Sequence, residues 1–208
     1  MQRSIPRGKR PLVVGLTGGV GCGKTVIAAE FARRGAVIIS GDQVGHEVVD
    51  RDARLQRQLA RWFGAAILGK RGLHRRKLAQ RAFATPENQK RLNDVVHPAL
   101  IAELKRRVRA ARRGPNVPLV VVDAALLVEW KRKVPVDVLV AVWASRANRR
   151  RWLRQRGWSA AEIGLRMRSQ LPFSARRAVA DVVIRNDRDV EALRRKVARL
   201  WQKLQESH

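Results

Sequence analysis

Gly18-Gly19-Val20-Gly21-Cys22-Gly23-Lys24-Thr25 decides how this sequence is read. The eight residues satisfy the spacing G-x-x-x-x-G-K-[ST] and stand between a buried strand and a helix, the setting which that spacing requires. Before them, residues 11–17 (PLVVGLT) are apolar and β-branched, as in a strand buried on both faces. After them, residues 26–34 (VIAAEFARR) read as a helix stopped by Gly35. The glycines let the backbone curl so that successive N–H groups point inward at phosphate oxygens, where side chains would block the approach. A helix starting near Lys24 adds the partial positive charge of its N-terminus. Gly18, Gly19, Val20, Gly21, Cys22, Gly23, Lys24 and Thr25 are therefore expected to bind the phosphates of ATP. Lys24 would reach the β- and γ-phosphates, and the Thr25 hydroxyl would ligate Mg²⁺.

Working outward, residues 36–40 (AVIIS) form a second short apolar run, which completes a strand–loop–helix–strand unit and points to a parallel sheet with helices on both faces. Residues 119–122 (LVVV), 136–142 (VDVLVAV) and 182–184 (VVI) supply three further strands. The expected fold is a three-layer α/β P-loop kinase fold with a mostly parallel five-stranded sheet. Between strands two and three, residues 44–113 read as helical, and Thr85-Pro86 has the form of an N-cap followed by proline at the first helical position. Residues 146–170 are a basic helical stretch broken at Gly157, and 190–204 carry apolar residues at helical spacing. One chain is thus expected to hold a nucleotide-binding core (11–43, 115–145 and 179–206), a helical acceptor subdomain (44–113) and a short basic lid (146–170).

Composition narrows the setting. The 208 residues carry 45 Lys and Arg, 35 of them arginine, against 17 Asp and Glu, a formal charge of +28. Such a field attracts polyanions, from nucleotides to nucleic acid, without choosing among them. Cys22 is the only cysteine, which excludes an intramolecular disulfide and fits a reducing compartment. The basic opening MQRSIPRGKR is followed by too short an apolar run for a secretory signal, and no stretch of about 18 apolar residues offers a membrane span. A cytoplasmic protein without a membrane partner is expected. His46, His74, His97 and His208 show no metal-ligand spacing with one another or with Cys22.

Two acids stand at strand ends. Asp42 follows the second strand, where ligands of open parallel sheets collect, and a carboxylate beside the γ-phosphate can align or deprotonate an attacking hydroxyl. By position alone it also reads as a cap for the helix that follows. Asp123 ends the third strand, a placement suited to holding Mg²⁺ together with Thr25, directly or through water.

The segment Gly15-Leu16-Thr17-Gly18-Gly19-Val20-Gly21-Cys22-Gly23-Lys24-Thr25 resembles the opening of the dephospho-CoA kinase family. Further segments follow in that family's order: Gly41-Asp42-Gln43-Val44 with His46; Leu92-Asn93 with His97-Pro98; Asp123 through Leu126-Leu127-Val128-Glu129; Arg166 through Ser169-Gln170; and Ala180-Asp181-Val182-Val183-Ile184 with Asn186. The resemblance implies transfer of the ATP γ-phosphate to the ribose 3′-hydroxyl of dephospho-CoA, with Mg²⁺. It assigns Asp42 and Lys24 to catalysis and puts Asp42, His97, Leu126 and Glu129 on the acceptor side. Arg156, Arg166 and Arg168 fall in the segment similar to the family's lid, and a guanidinium suits phosphate because its planar fork bonds two oxygens.

The sequence also departs from the family. Ser40 stands where a second acid is usual, Ala125 where proline is, Trp152 where arginine is common, and Asn186-Asp187 replaces a segment normally followed by glycine. Two alternatives stay open on the sequence: a P-loop kinase for another hydroxyl acceptor, such as a nucleoside or nucleotide, and a basic P-loop protein that binds nucleic acid. Weak nonspecific affinity for nucleic acid is compatible with kinase activity.

Overall fold

The computed structural model describes residues 10–69, 72–130 and 133–206; the basic opening residues 1–9 and His208 lie outside them. The chain divides into two compact units, one taking in the chain up to Ser40 and from Lys105 onward, the other Gly41–Leu104.

In the first unit, β1 (Leu12–Thr17) is buried along its whole length, as its uninterrupted apolar run requires. It lies at the centre of a parallel five-stranded sheet with β2 (Val37–Ser40), β5 (Leu119–Asp123), β6 (Val138–Trp143) and β7 (Val182–Arg185), in the order β2-β5-β1-β6-β7. Alternate side chains fall on opposite faces. Leu12, Val14, Leu16, Val121 and Val140 join one core with α1 (Lys24–Ala32) and α9 (Val190–Glu206), where Phe31 meets Trp201 at 6.1 Å between ring centroids. Val13, Val120, Val122 and Ala141, which face the other way, are equally buried, so both faces are covered.

Two aspartates fasten the entry end of the sheet. Asp137 accepts the Val13 N–H at 2.7 Å and also pairs with Arg112, and Asp181 accepts the Leu139 N–H at 2.8 Å. Each gives its own backbone N–H back to the same neighbour's carbonyl, Val13 and Leu139 respectively. Glu30 on α1, 4% exposed, pairs with Arg33 and Arg34 on its own helix and with Arg194 on α9 at 2.9 Å. Burial by itself would raise its pKa; hydrogen bonds from Arg34 and Arg194 and the Arg33 charge outweigh that and hold it below its ordinary value.

The second unit is built from α2 (Gly41–Arg51), α3 (Ala53–Phe63), α4 (Arg75–Ala82) and most of α5 (Pro86–Ala111). Its core gathers Val49, Leu59, Phe63, Ile67, Leu78 and Ala82. Asp52 caps α3, and Thr85 caps α5 through its hydroxyl at 3.2 Å from Asn88 N, with Pro86 in the first turn as the sequence indicates. The run 44–113 is not helical throughout: a 3₁₀ turn (Ala65–Ile67) and a short antiparallel hairpin, β3 (Leu68–Gly69) and β4 (Gly72–Leu73), interrupt it. The second unit ends at Leu104 inside α5, so the last turns of that helix belong with the sheet.

Candidate active site

The loop between β1 and α1 takes its shape from backbone that only glycine accepts easily. Gly23 caps α1 at φ 98°, and a Cβ there would lie 2.3 Å from Asn186 Nδ2. Gly18, at φ 154°, would place a Cβ 2.7 Å from both Cys22 Sγ and the Val142 carbonyl. The Lys24 ammonium donates to the Gly18 carbonyl at 2.9 Å, which holds its charge over the loop. Thr25 sits exposed in the first turn of α1 with its hydroxyl free to meet solvent.

Three side chains distant in sequence grip this loop. Asn186, buried just after β7, donates to the Cys22 carbonyl at 3.0 Å. Arg149 Nε donates to the Val20 carbonyl at 2.7 Å, and Gln170 Oε1 accepts the Val20 N–H at 2.8 Å. Burial lowers the Arg149 pKa from the ordinary arginine value, with the nearby Arg176 and Arg146 charges acting in the same sense. On one side of the loop lies a cavity of about 510 Å³ lined by Gly19, Cys22, Arg146, Arg149, Gln170 and Arg176, among others. On the other side, Gly21, Gly23, Trp152, Arg156, Asn186 and Val190 border a second cavity of about 530 Å³.

Arg176 carries a charge into the interior. It stands on α8 (Phe173–Val179) and is 1% exposed. Its guanidinium reaches Thr17 Oγ1 at 3.3 Å, Ala125 O at 3.4 Å, Glu129 Oε1 at 2.9 Å and the Leu171 carbonyl. Thr17, at the mouth of the loop, donates its own hydroxyl to Ala125 O at 3.0 Å. This network ties the end of β1 to the turn that follows β5. Asp123 closes β5 level with Leu16 on one side and Ser40 on the other. Leu126 and Glu129 lie half-buried in the same turn.

The segment expected as a lid is two helices, α6 (Arg146–Gln155) and α7 (Ala160–Arg168), joined through Gly157. Ser159 and Glu162 form a reciprocal capping box at the start of α7. Arg156 borders the 530 Å³ cavity. Arg166 is half-buried and Arg168 exposed, and neither lines the two cavities described. In the second unit, Asp42 is exposed in the first turn of α2, and His97 is half-buried on α5 just before Pro98.

Arg149, Gln170 and Asn186 as loop-holding residues, and Arg176 as the buried link from β1 to the turn after β5, escaped the sequence. Among 35 arginines nothing local marks Arg149 and Arg176 as turned inward. Asn186 did carry a signal, since it stands with residues 180–184 in a segment that resembles the family.

A parallel sheet whose central strand runs into a glycine-rich phosphate loop, with Lys24 over the loop and a basic helical pair against it, defines a P-loop kinase. Comparison with known proteins makes the class particular. Residues 12–192 match the family model described as CoaE, dephospho-CoA kinase. A dephospho-CoA kinase of Anaeromyxobacter dehalogenans is 37% identical over 191 residues, covering 90% of each chain. The structure is similar to that of TT1252 from Thermus thermophilus, with a TM-score of 0.75 and 29% identity over 94% of this chain and 99% of the other. It shares its fold with a dephospho-CoA kinase from Campylobacter jejuni, with a TM-score of 0.63 and 18% identity over 93% and 97%. The chain belongs to the dephospho-CoA kinase family.

Proposed function

We propose that this chain transfers the γ-phosphate of ATP to the ribose 3′-hydroxyl of dephospho-CoA, giving CoA and ADP. The observation that carries the reading is the loop 18–25, with Lys24 held over it and the Arg149 guanidinium bound to its backbone. The bond from γ-phosphorus to the bridging oxygen breaks as the bond to the 3′-oxygen forms. ADP leaves with the bridging electrons, and the hydroxyl proton passes to the Asp42 carboxylate and then to water.

The chain's own residues supply position and charge, not a covalent intermediate. The loop N–H groups and Lys24 hold the β- and γ-phosphates. The 530 Å³ cavity beside Gly21 and Gly23 has the aromatic and polar lining to seat the adenine, with Trp152 and Asn186 on its walls. Arg156, Arg166 and Arg168 are assigned to the lid, and Asp42, His97, Leu126 and Glu129 to the acceptor. Thr25 and Asp123 would hold Mg²⁺: both are hard oxygen donors, few in number, as suits a cation that keeps water and shares the phosphates. When bound, that ion neutralises charge on the β- and γ-oxygens.

The charge of +28 favours a second property, weak salt-sensitive binding of nucleic acid. No helix among the described residues is long and apolar enough to cross a membrane. The deciding experiment measures ADP release with ATP and Mg²⁺ on dephospho-CoA, adenosine, AMP and no acceptor, for wild type and Asp42→Asn. Turnover is expected with dephospho-CoA only, reduced about a hundredfold or more in the variant with its melting temperature unchanged. Turnover on another acceptor would overturn the substrate assignment, and full activity in Asp42→Asn would overturn the role of that carboxylate.

A further inference from the structure

Val20 stands at the crest of the phosphate loop, and side chains from the 146–170 segment take both of its backbone polar groups: Arg149 donates to the carbonyl, Gln170 accepts from the N–H. The second contact fixes more than the loop. A carboxamide carries one acceptor oxygen and an NH₂ group with two donors on the same carbon. A backbone N–H is a donor only, so the oxygen of Gln170 must be the atom that faces Val20. The rotation of the amide is thereby set, and its NH₂ is turned away from the loop backbone. Gln170 lines the 510 Å³ cavity beside Gly19, Arg149 and Arg176, and its amide nitrogen has no hydrogen-bond partner among the described residues.

We infer that Gln170 is a catalytic residue of the phosphoryl transfer, its NH₂ donating to an oxygen of the γ-phosphoryl group while its carbonyl oxygen stays on Val20 N–H. The inference rests on the proposal that residues 18–25 hold the phosphates of ATP. Two features make this residue suited to the task. A loose transition state spreads charge over the equatorial oxygens of the transferring group, and a donor already oriented there gains strength as that charge develops. The cavity also holds the cations of Arg146, Arg149 and Arg176, so a neutral donor adds direction without further like-charge repulsion. Gln170 follows α7 by two residues, so the same amide joins the end of that helix to the loop.

Gln170→Glu and Gln170→Met separate this role from bracing. Glutamate keeps an acceptor for Val20 N–H and replaces the donor with an anionic oxygen. Methionine keeps the length and loses both functions. The turnover number on ATP and dephospho-CoA, the affinities for ADP and for a non-hydrolysable ATP analogue, and the melting temperature would be measured for each. A donor to the γ-phosphoryl group predicts a fall in kcat of about tenfold to a hundredfold in Gln170→Met and a larger one, about a hundredfold to a thousandfold, in Gln170→Glu. Analogue affinity falls most in Gln170→Glu, and ADP affinity stays within about twofold of wild type in both. If Gln170 only braces the loop, Gln170→Glu keeps near-wild-type kcat and Gln170→Met alone is impaired, and that result overturns the inference. An equal loss of ADP and analogue affinity in Gln170→Met overturns it too, and it does so even if Gln170→Glu fails to fold. Failure of the wild type itself to bind either nucleotide would instead overturn the assignment of the loop, and with it this inference.

Discussion

Replacing Glu30 by glutamine removes a buried charge from between three arginines and is expected to loosen the clamp between α1 and α9. The carboxylate side chain is 5% exposed, and its two oxygens meet Arg33 and Arg194 on one side and Arg34 on the other, the last at 3.1 Å. Glutamine has nearly the same shape, but one oxygen becomes an NH₂ that faces a guanidinium donor. Breaking a buried pair by removing one partner costs about 3–5 kcal/mol when the remaining charge stays dry. Here Arg33 and Arg194 are 60% and 38% exposed and can rehydrate, so the cost drops to the bottom of that range or just under it, about 2–3 kcal/mol. For a chain of this size that corresponds to a melting temperature lower by roughly 5–10 °C. The effect depends on pH with a fixed sign. Because the folded-state pKa lies below the ordinary carboxylate value, the stabilisation is complete above that value and is lost as pH falls through the folded pKa. Thermal melts of both proteins from pH 7 down to pH 3 should therefore show a gap that is widest at neutrality and closes in acid. A gap under about 2 °C at pH 7, or one of constant width down to pH 3, would refute this account of Glu30.

Gly23→Ala should abolish ATP binding and lower the melting temperature, since the new Cβ would meet Asn186 Nδ2 at a φ of 98°; isothermal titration with ATP checks it, and wild-type affinity would rule the clash out. Arg176→Met should cost about 2–4 kcal/mol of stability, because Glu129 loses its partner and the Thr17–Ala125 network its centre; urea unfolding measures the loss. Ser159→Ala should destabilise the start of α7 by about 1 kcal/mol, seen as faster amide exchange at Glu162 and Ile163 with little change in global stability.

Much of the core was legible because it rests on local patterns. The apolar runs that flank the glycine loop could only be buried strands, and the structure places β1, β2, β5, β6 and β7 within a few residues of them, all parallel. Thr85-Pro86 was readable because a cap is a property of four consecutive residues. The pairing of β3 with β4 was not, since two-residue strands are too short to show a period of two within a helical stretch. Nor was α8, which follows Pro172 and holds Arg176: a buried arginine looks like any other until Thr17, Ala125 and Glu129 are brought around it. The same holds for the grip on the loop. Val20 meets Arg149 and Gln170 across more than a hundred residues, a relation that no local signal encodes.

The central place of β1 also sets a timetable for the nascent chain. Leu12 pairs with Leu119, and Val14 with both Val121 and Val138, so β1 must wait for β5 and β6, far later in the chain, before either edge is covered. At about 5–20 residues per second that interval is roughly 5–21 s, during which a strand of six apolar or small residues has no native neighbour. Chains arrested only after Leu104 has cleared the ribosome, but before β5 has, should hold Gly41–Leu104 in a protease-resistant form while residues 12–17 remain open to cleavage and to chaperones. Protection of the phosphate loop should then arrive late and abruptly, once β5 and β6 have both emerged.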